Sequence, residues 1–142
     1  MGRVIKTDTT SKERTRLLRS IVLALRELMQ QSKPDESTRD LAAYLALACA
    51  EVAETVESTV TPWEKRDYWV KADRFRMEWS WAQRWGEAMR QAVLTEDWAG
   101  IAGAAAQIAM KVNGVKVPQR HNLGTPWVGA MERLKQVSAA VR

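Results

Sequence analysis

Between Thr61 and Val93 the chain carries five of its seven tryptophans, Trp63, Trp69, Trp79, Trp81 and Trp85, and no proline follows Pro62 until Pro118. A segment so rich in large rings must be placed between other elements, and that need constrains the whole fold. Thr61 as N-cap, Pro62 at the first helical position and Glu64 completing a capping box form a helix-start signature. The run therefore predicts one unbroken helix of about 33 residues, roughly 50 Å at 1.5 Å per residue. Projected on a helical wheel, Tyr68, Ala72, Phe75, Trp79, Ala82, Gly86, Met89 and Val93 form one apolar seam. Val70, Met77, Trp81, Trp85, Ala88 and Ala92 gather almost opposite, and a mostly basic arc lies between. A helix with two apolar faces packs on both sides.

The rest of the chain reads as helices that could do the packing. Thr10 and Glu13 frame a second capping box. Leu17, Leu18, Ile21, Val22, Leu25, Leu28 and Met29 follow at i, i+3, i+4 spacing, with Arg14, Arg16, Arg19 and Arg26 on the other sides. After Pro34, Ser37 serves as N-cap for a helix that buries Leu41, Leu45, Ala48, Val52 and Val56, flanked by Tyr44 and Cys49. Thr95 opens a helix with Trp98, Ile101, Ala102, Ala105, Ile108, Ala109 and Val112 on one face, where Gly100 and Gly103 permit close approach and Gly114 suits the C′ position. The stretch VKVPQRHNLG is the one long connection. Thr125-Pro126-Trp127 repeats the earlier start and opens a helix burying Val128, Met131, Leu134 and Val137.

The predicted helices are thus 11–31, 37–58, 62–94, 96–113 and 126–140. They describe an all-α, up-and-down four-helix bundle with a long Trp-rich third helix and an additional C-terminal helix. Residues 1–10 read as a flexible basic arm and residues 11–142 as a single helical domain. Basic helix one and acidic helix two are expected to complement each other as antiparallel neighbours.

At 142 residues and net charge +5, the chain can bury a full core and can meet an anionic partner. The single cysteine, Cys49, cannot make an internal disulfide. Neither a signal peptide nor an apolar run of transmembrane length is present, so a cytoplasmic protein with no membrane contact is expected. No cofactor is expected either. The lone histidine, His121, sits in the long connection with no cysteine or serine motif around it, which gives a zinc site or a catalytic triad no support.

Two surfaces stand out. Lys65, Arg66 and Arg76 surround Trp69 on the basic arc, which continues through Arg84 and Arg90, while Arg14, Arg16 and Arg19 of the first helix, with Lys116 and Arg120 of the connection, extend it. Cations around a flat ring suit single-stranded nucleic acid, where phosphates meet the charges and a base stacks on the indole. The second apolar face, with Val70, Met77, Trp81 and Trp85, suits a homo-oligomer or a protein partner, because a helix longer than its neighbours leaves apolar surface uncovered. The function expected is that of a non-enzymatic assembly or accessory subunit. One further pattern points elsewhere. Glu51 and Glu54 precede Glu64 and Asp67 in an ExxE…ExxD order, which resembles the all-α nucleoside triphosphate pyrophosphatases related to MazG. That resemblance implies Mg²⁺ held near a triphosphate by these four acids, and it is the alternative to a non-enzymatic role.

Overall fold

The computed structural model describes residues 7–140. Five helices follow in chain order: α1 (Thr7–Met29), α2 (Glu36–Lys65), α3 (Trp69–Leu94), α4 (Trp98–Val112) and α5 (Ala130–Ala140). No strand occurs among the described residues. Short turns join the first four helices and make sequence neighbours antiparallel. Helix α2 is the central element, packing against α1, α3 and α5, while α4 covers α3 and touches α1. The all-α bundle is as expected, but its longest member is α2, at 30 residues.

The boundary between α2 and α3 differs from the sequence expectation. Helix α2 continues through Thr61 and Pro62 to Lys65, so Pro62 lies inside a helix and the predicted capping box at Thr61 does not form. The Thr61 hydroxyl instead donates to the Glu57 carbonyl at 2.7 Å. A proline removes one bond, here to the carbonyl of exposed Ser58, and crowds it. Tertiary contacts on either side offset that cost. Thr59 and Val60 are buried, and the Trp63 ring meets Phe75 edge-on at 5.3 Å.

Helix α2 ends in a Schellman arrangement without a glycine. Tyr68 N–H donates to the Trp63 carbonyl at 2.8 Å and Asp67 N–H to that of Glu64 at 3.1 Å, with Asp67 left-handed at φ 64°. The same device ends α3: Asp97 N–H reaches the Ala92 carbonyl and Glu96 N–H that of Val93, with Glu96 at φ 51°. Gly114, expected to end α4, does not adopt a positive φ, whereas Gly124 and Gly129 in the connection do.

The other starts also shift. Helix α1 begins at Thr7, so Thr10 lies within its first turn, and residues 7–10 of the expected arm are helical; residues 1–6 lie outside the described residues. Asp35, two residues before the expected Ser37, caps α2 reciprocally with Thr38. Asp97 rather than Thr95 caps α4 through Gly100 N–H at 2.9 Å. Helix α5 starts at Ala130 because Asp40 of α2 accepts hydrogen bonds from Gly129 N–H and Met131 N–H, both at 3.0 Å. That later start leaves Val128 exposed, and Val137 is exposed as well, while Ala130 and Leu134 are buried.

The core matches the seam from Ala72 onward: Ala72, Ala82, Met89 and Val93 are fully buried beside Leu41, Leu45 and Val52. At Gly86 α3 lies so close to α2 that a Cβ would stand 2.7 Å from Cys49 Cβ. Burial pushes the Cys49 thiol up to about 12. Gly103, by contrast, faces open space and sets no helix approach.

Candidate nucleic-acid interface

The break after Lys65 converts the predicted stripe from one helix face into a corner. Lys65 ends α2, Arg66 is its C-cap, Tyr68 is the N-cap of α3 and Trp69 its first residue. Both rings stand in solvent, with Tyr68 52% and Trp69 54% exposed. Lys65 and Arg66 are exposed and make no ion pair among the described residues.

Further along α3 the predicted cations are already engaged. Arg76 donates through two nitrogens to Glu57, both at 3.0 Å, and to Glu64 at 2.7 and 3.0 Å. These bonds raise the Arg76 pKa and hold the Glu64 carboxyl below its usual range. Arg84 lies over the Trp85 ring, 5.2 Å from its centroid. Arg90 is bound to Glu87 and donates to Ser138 Oγ of α5 at 3.1 Å. Lys116 and Arg120 are exposed in the connection, and Arg120 lines a cleft against α1. The stripe is therefore divided into an open corner, an internally paired middle and a separate patch on the connection.

The acids of α2 that form ion pairs among the described residues pair with α3 rather than α1. Glu57 and Glu64 take Arg76, and no ion pair links α1 to α2 among the described residues. The α1–α2 seam carries Arg14 instead, expected on a solvated side but buried. Its guanidinium donates to the Thr55 carbonyl, Thr55 Oγ1 and Thr59 Oγ1 at 3.1–3.2 Å. It also lies 5.0 Å from the Phe75 centroid and 5.3 Å from that of Trp79. Burial lowers the Arg14 pKa, and the charge of Glu78 partly opposes this. The signal for its burial was present in the spacing. Arg14 precedes Leu17, Leu18 and Ile21 by three, four and seven residues, on the apolar face of α1.

The predicted interface also divides. Helix α4 has 15 residues against 26 in α3, so it covers the second apolar face only toward the C-terminus. Trp81 is buried there at 8% exposure, within the core, and Trp85 is half-buried. Val70 and Met77, at 66% and 75%, remain uncovered near the corner.

The four acids of the ExxE…ExxD pattern do not converge. Because α2 is continuous, Glu51 and Glu64 are separated by roughly 20 Å along one helix axis. Glu64 is held by Arg76, and Asp67 is exposed in the turn. Glu51 lines a shallow cleft with Glu13 and Glu54; burial and these two like charges raise its pKa. No group of three or more His, Cys, Asp or Glu side chains capable of holding a metal ion occurs among the described residues. No helix among them is long and apolar enough to cross a membrane. No protein-family model, curated protein or solved structure matches the chain.

Proposed function

We propose that this protein is a non-enzymatic helical binding module, an accessory subunit whose α2–α3 corner holds single-stranded nucleic acid. One observation carries the reading: Lys65 and Arg66, without an ion pair among the described residues, share a corner with two rings, Tyr68 and Trp69, that are more than half exposed. Phosphates would meet the cations and a base would stack on Trp69. Nothing at the corner is arranged to read base edges, so the binding is sequence-tolerant. Val70 and Met77 support a second contact beside it, to another copy of the chain or a protein partner, since they form the uncovered part of an otherwise packed face.

A titration of an oligothymidine across a salt series tests the corner. Replacing Lys65 and Arg66 with glutamine should lower the salt slope by about 0.7 per lost phosphate contact. Trp69→Ala should weaken binding by about 1–3 kcal/mol with the slope unchanged, because stacking releases no counterions. Undetectable affinity at low salt would remove nucleic acid as the partner.

A further inference from the structure

We propose that the cleft between α1 and the 113–129 connection is a separate site for a small phosphate-bearing ligand of nucleotide size. The cleft has a volume of about 470 Å³, within the roughly 300–1,000 Å³ usual for small-molecule sites. Lys12, Arg16 and Arg19 line it from α1, and Arg120 and His121 face them from the connection. The three α1 residues sit at i, i+4 and i+7, which puts them on one face over about 10.5 Å of helix.

The charge balance of this cleft is one-sided. Among the described residues only Arg16 has an acidic partner, Glu13, at 2.6 Å. Lys12, Arg19 and Arg120 have no ion pair, and no acid lines the cleft, among the described residues. Like charges facing one another across a gap repel, and a bound anion removes that repulsion. The connection is held in place by other contacts. Val115 and Val117 pack on the core, and at the far end Trp127 meets Tyr44 edge-on at 6.5 Å while Asp40 grips Gly129 and Met131. Anchored at both ends, its middle stands off α1 and leaves the gap.

The lining favours phosphate over other anions because it is rich in donors. Guanidinium groups match phosphate oxygens two at a time, and the ammonium of Lys12 adds a point charge. Leu123 N–H donates to His121 Nδ1 at 3.3 Å. That contact occupies Nδ1 and leaves Nε2 as the ring nitrogen open to a ligand. Walls on two sides suit a compact ligand better than a polymer. The site shares none of the corner's residues, so either can fail without the other.

Calorimetric titration of the full chain at low salt, with inorganic triphosphate, ATP and an oligothymidine lacking terminal phosphates, tests the proposal. Triphosphate and ATP should each bind one per chain. Arg19→Gln with Arg120→Gln should weaken both at least ten-fold while the helical circular dichroism stays unchanged, and Lys12→Gln alone should weaken them less. Trp69→Ala should leave both unaffected. Tighter binding of ATP than of triphosphate would support the site and show that a nucleoside is held; equal binding would support recognition through phosphate alone. The proposal is overturned if neither small ligand binds, or if the double variant binds them as well as the parent. It is also overturned if only the oligothymidine binds and weakens in the double variant, since the cleft would then belong to the nucleic-acid surface.

Discussion

Beneath α3 the Arg14 guanidinium lies against the faces of Phe75 and Trp79 and donates to Thr55 and Thr59; at the α2–α3 corner Lys65 and Arg66 stand beside Tyr68 and Trp69, with both rings half in water. Both places bring cations and aromatic rings together, and the difference lies in what surrounds them. Arg14 is enclosed by α1, α2 and α3, so its charge is satisfied within the chain and its stem fills core space. The corner lies beyond the reach of α4, which is too short to cover the start of α3. Cation and ring proximity therefore does not by itself mark a binding site. It marks one only where the cations lack internal acceptors and the rings lack a covering element.

The largest expected contrast is between two tryptophans of one helix. Trp81→Ala should lower stability by about 3–5 kcal/mol, the usual cost of emptying a core tryptophan site. Trp69→Ala should change it by no more than about 0.5 kcal/mol, as for exposed substitutions. Urea unfolding of both variants checks this. A Trp81→Ala protein that unfolds like the parent but sediments differently would return Trp81 to an intermolecular surface. The arginines give the next contrast. Arg14→Ala should cost about 2–4 kcal/mol through its charge-assisted hydrogen bonds and lost packing. Arg66→Ala should cost about 0.5 kcal/mol or less and act on ligand binding instead. Equal destabilisation by the two would mean that the corner is held by its cations.

How much of this was legible in the sequence depends on the range of the interactions. Apart from Met29 and Ala102, which are exposed, the apolar stripes of α1, α2 and α4 and the α3 seam from Ala72 onward could be read because helical periodicity is local. The end of α2 could not, because Asp67 stands where glycine normally signals a C′ position. The Thr-Pro-Trp triplet misleads twice: at Thr61 it lies inside a helix, and at Thr125 it precedes a helix that begins at Ala130. The α5 cap comes from Asp40, about ninety residues upstream, and no local pattern announces it. Arg76 read as free because its acceptors lie 12 and 19 residues away on another helix. The corner was visible as composition, with Trp69 among basic residues, but its exposure follows from the short α4 and the unexpected turn.

The smallest expected effect concerns the turn that makes the corner. Asp67 holds φ 64°, a conformation that costs most residues roughly 1–2 kcal/mol and aspartate less. Asp67→Gly relieves that strain but adds unfolded-chain freedom, so a net stabilisation of about 0.5 kcal/mol is expected. Asp67→Asn, which tolerates the same region, should leave stability near the parent value. The two variants should behave alike in binding, because each removes the negative charge beside Lys65 and Arg66. A modest, salt-sensitive gain in affinity for a single strand is expected from both. Measuring stability and binding together separates backbone from charge. If glycine destabilises the protein, the Asp67 side chain itself holds the turn. If neither variant tightens binding, the phosphates do not pass this corner, and the exposed rings serve a protein partner instead.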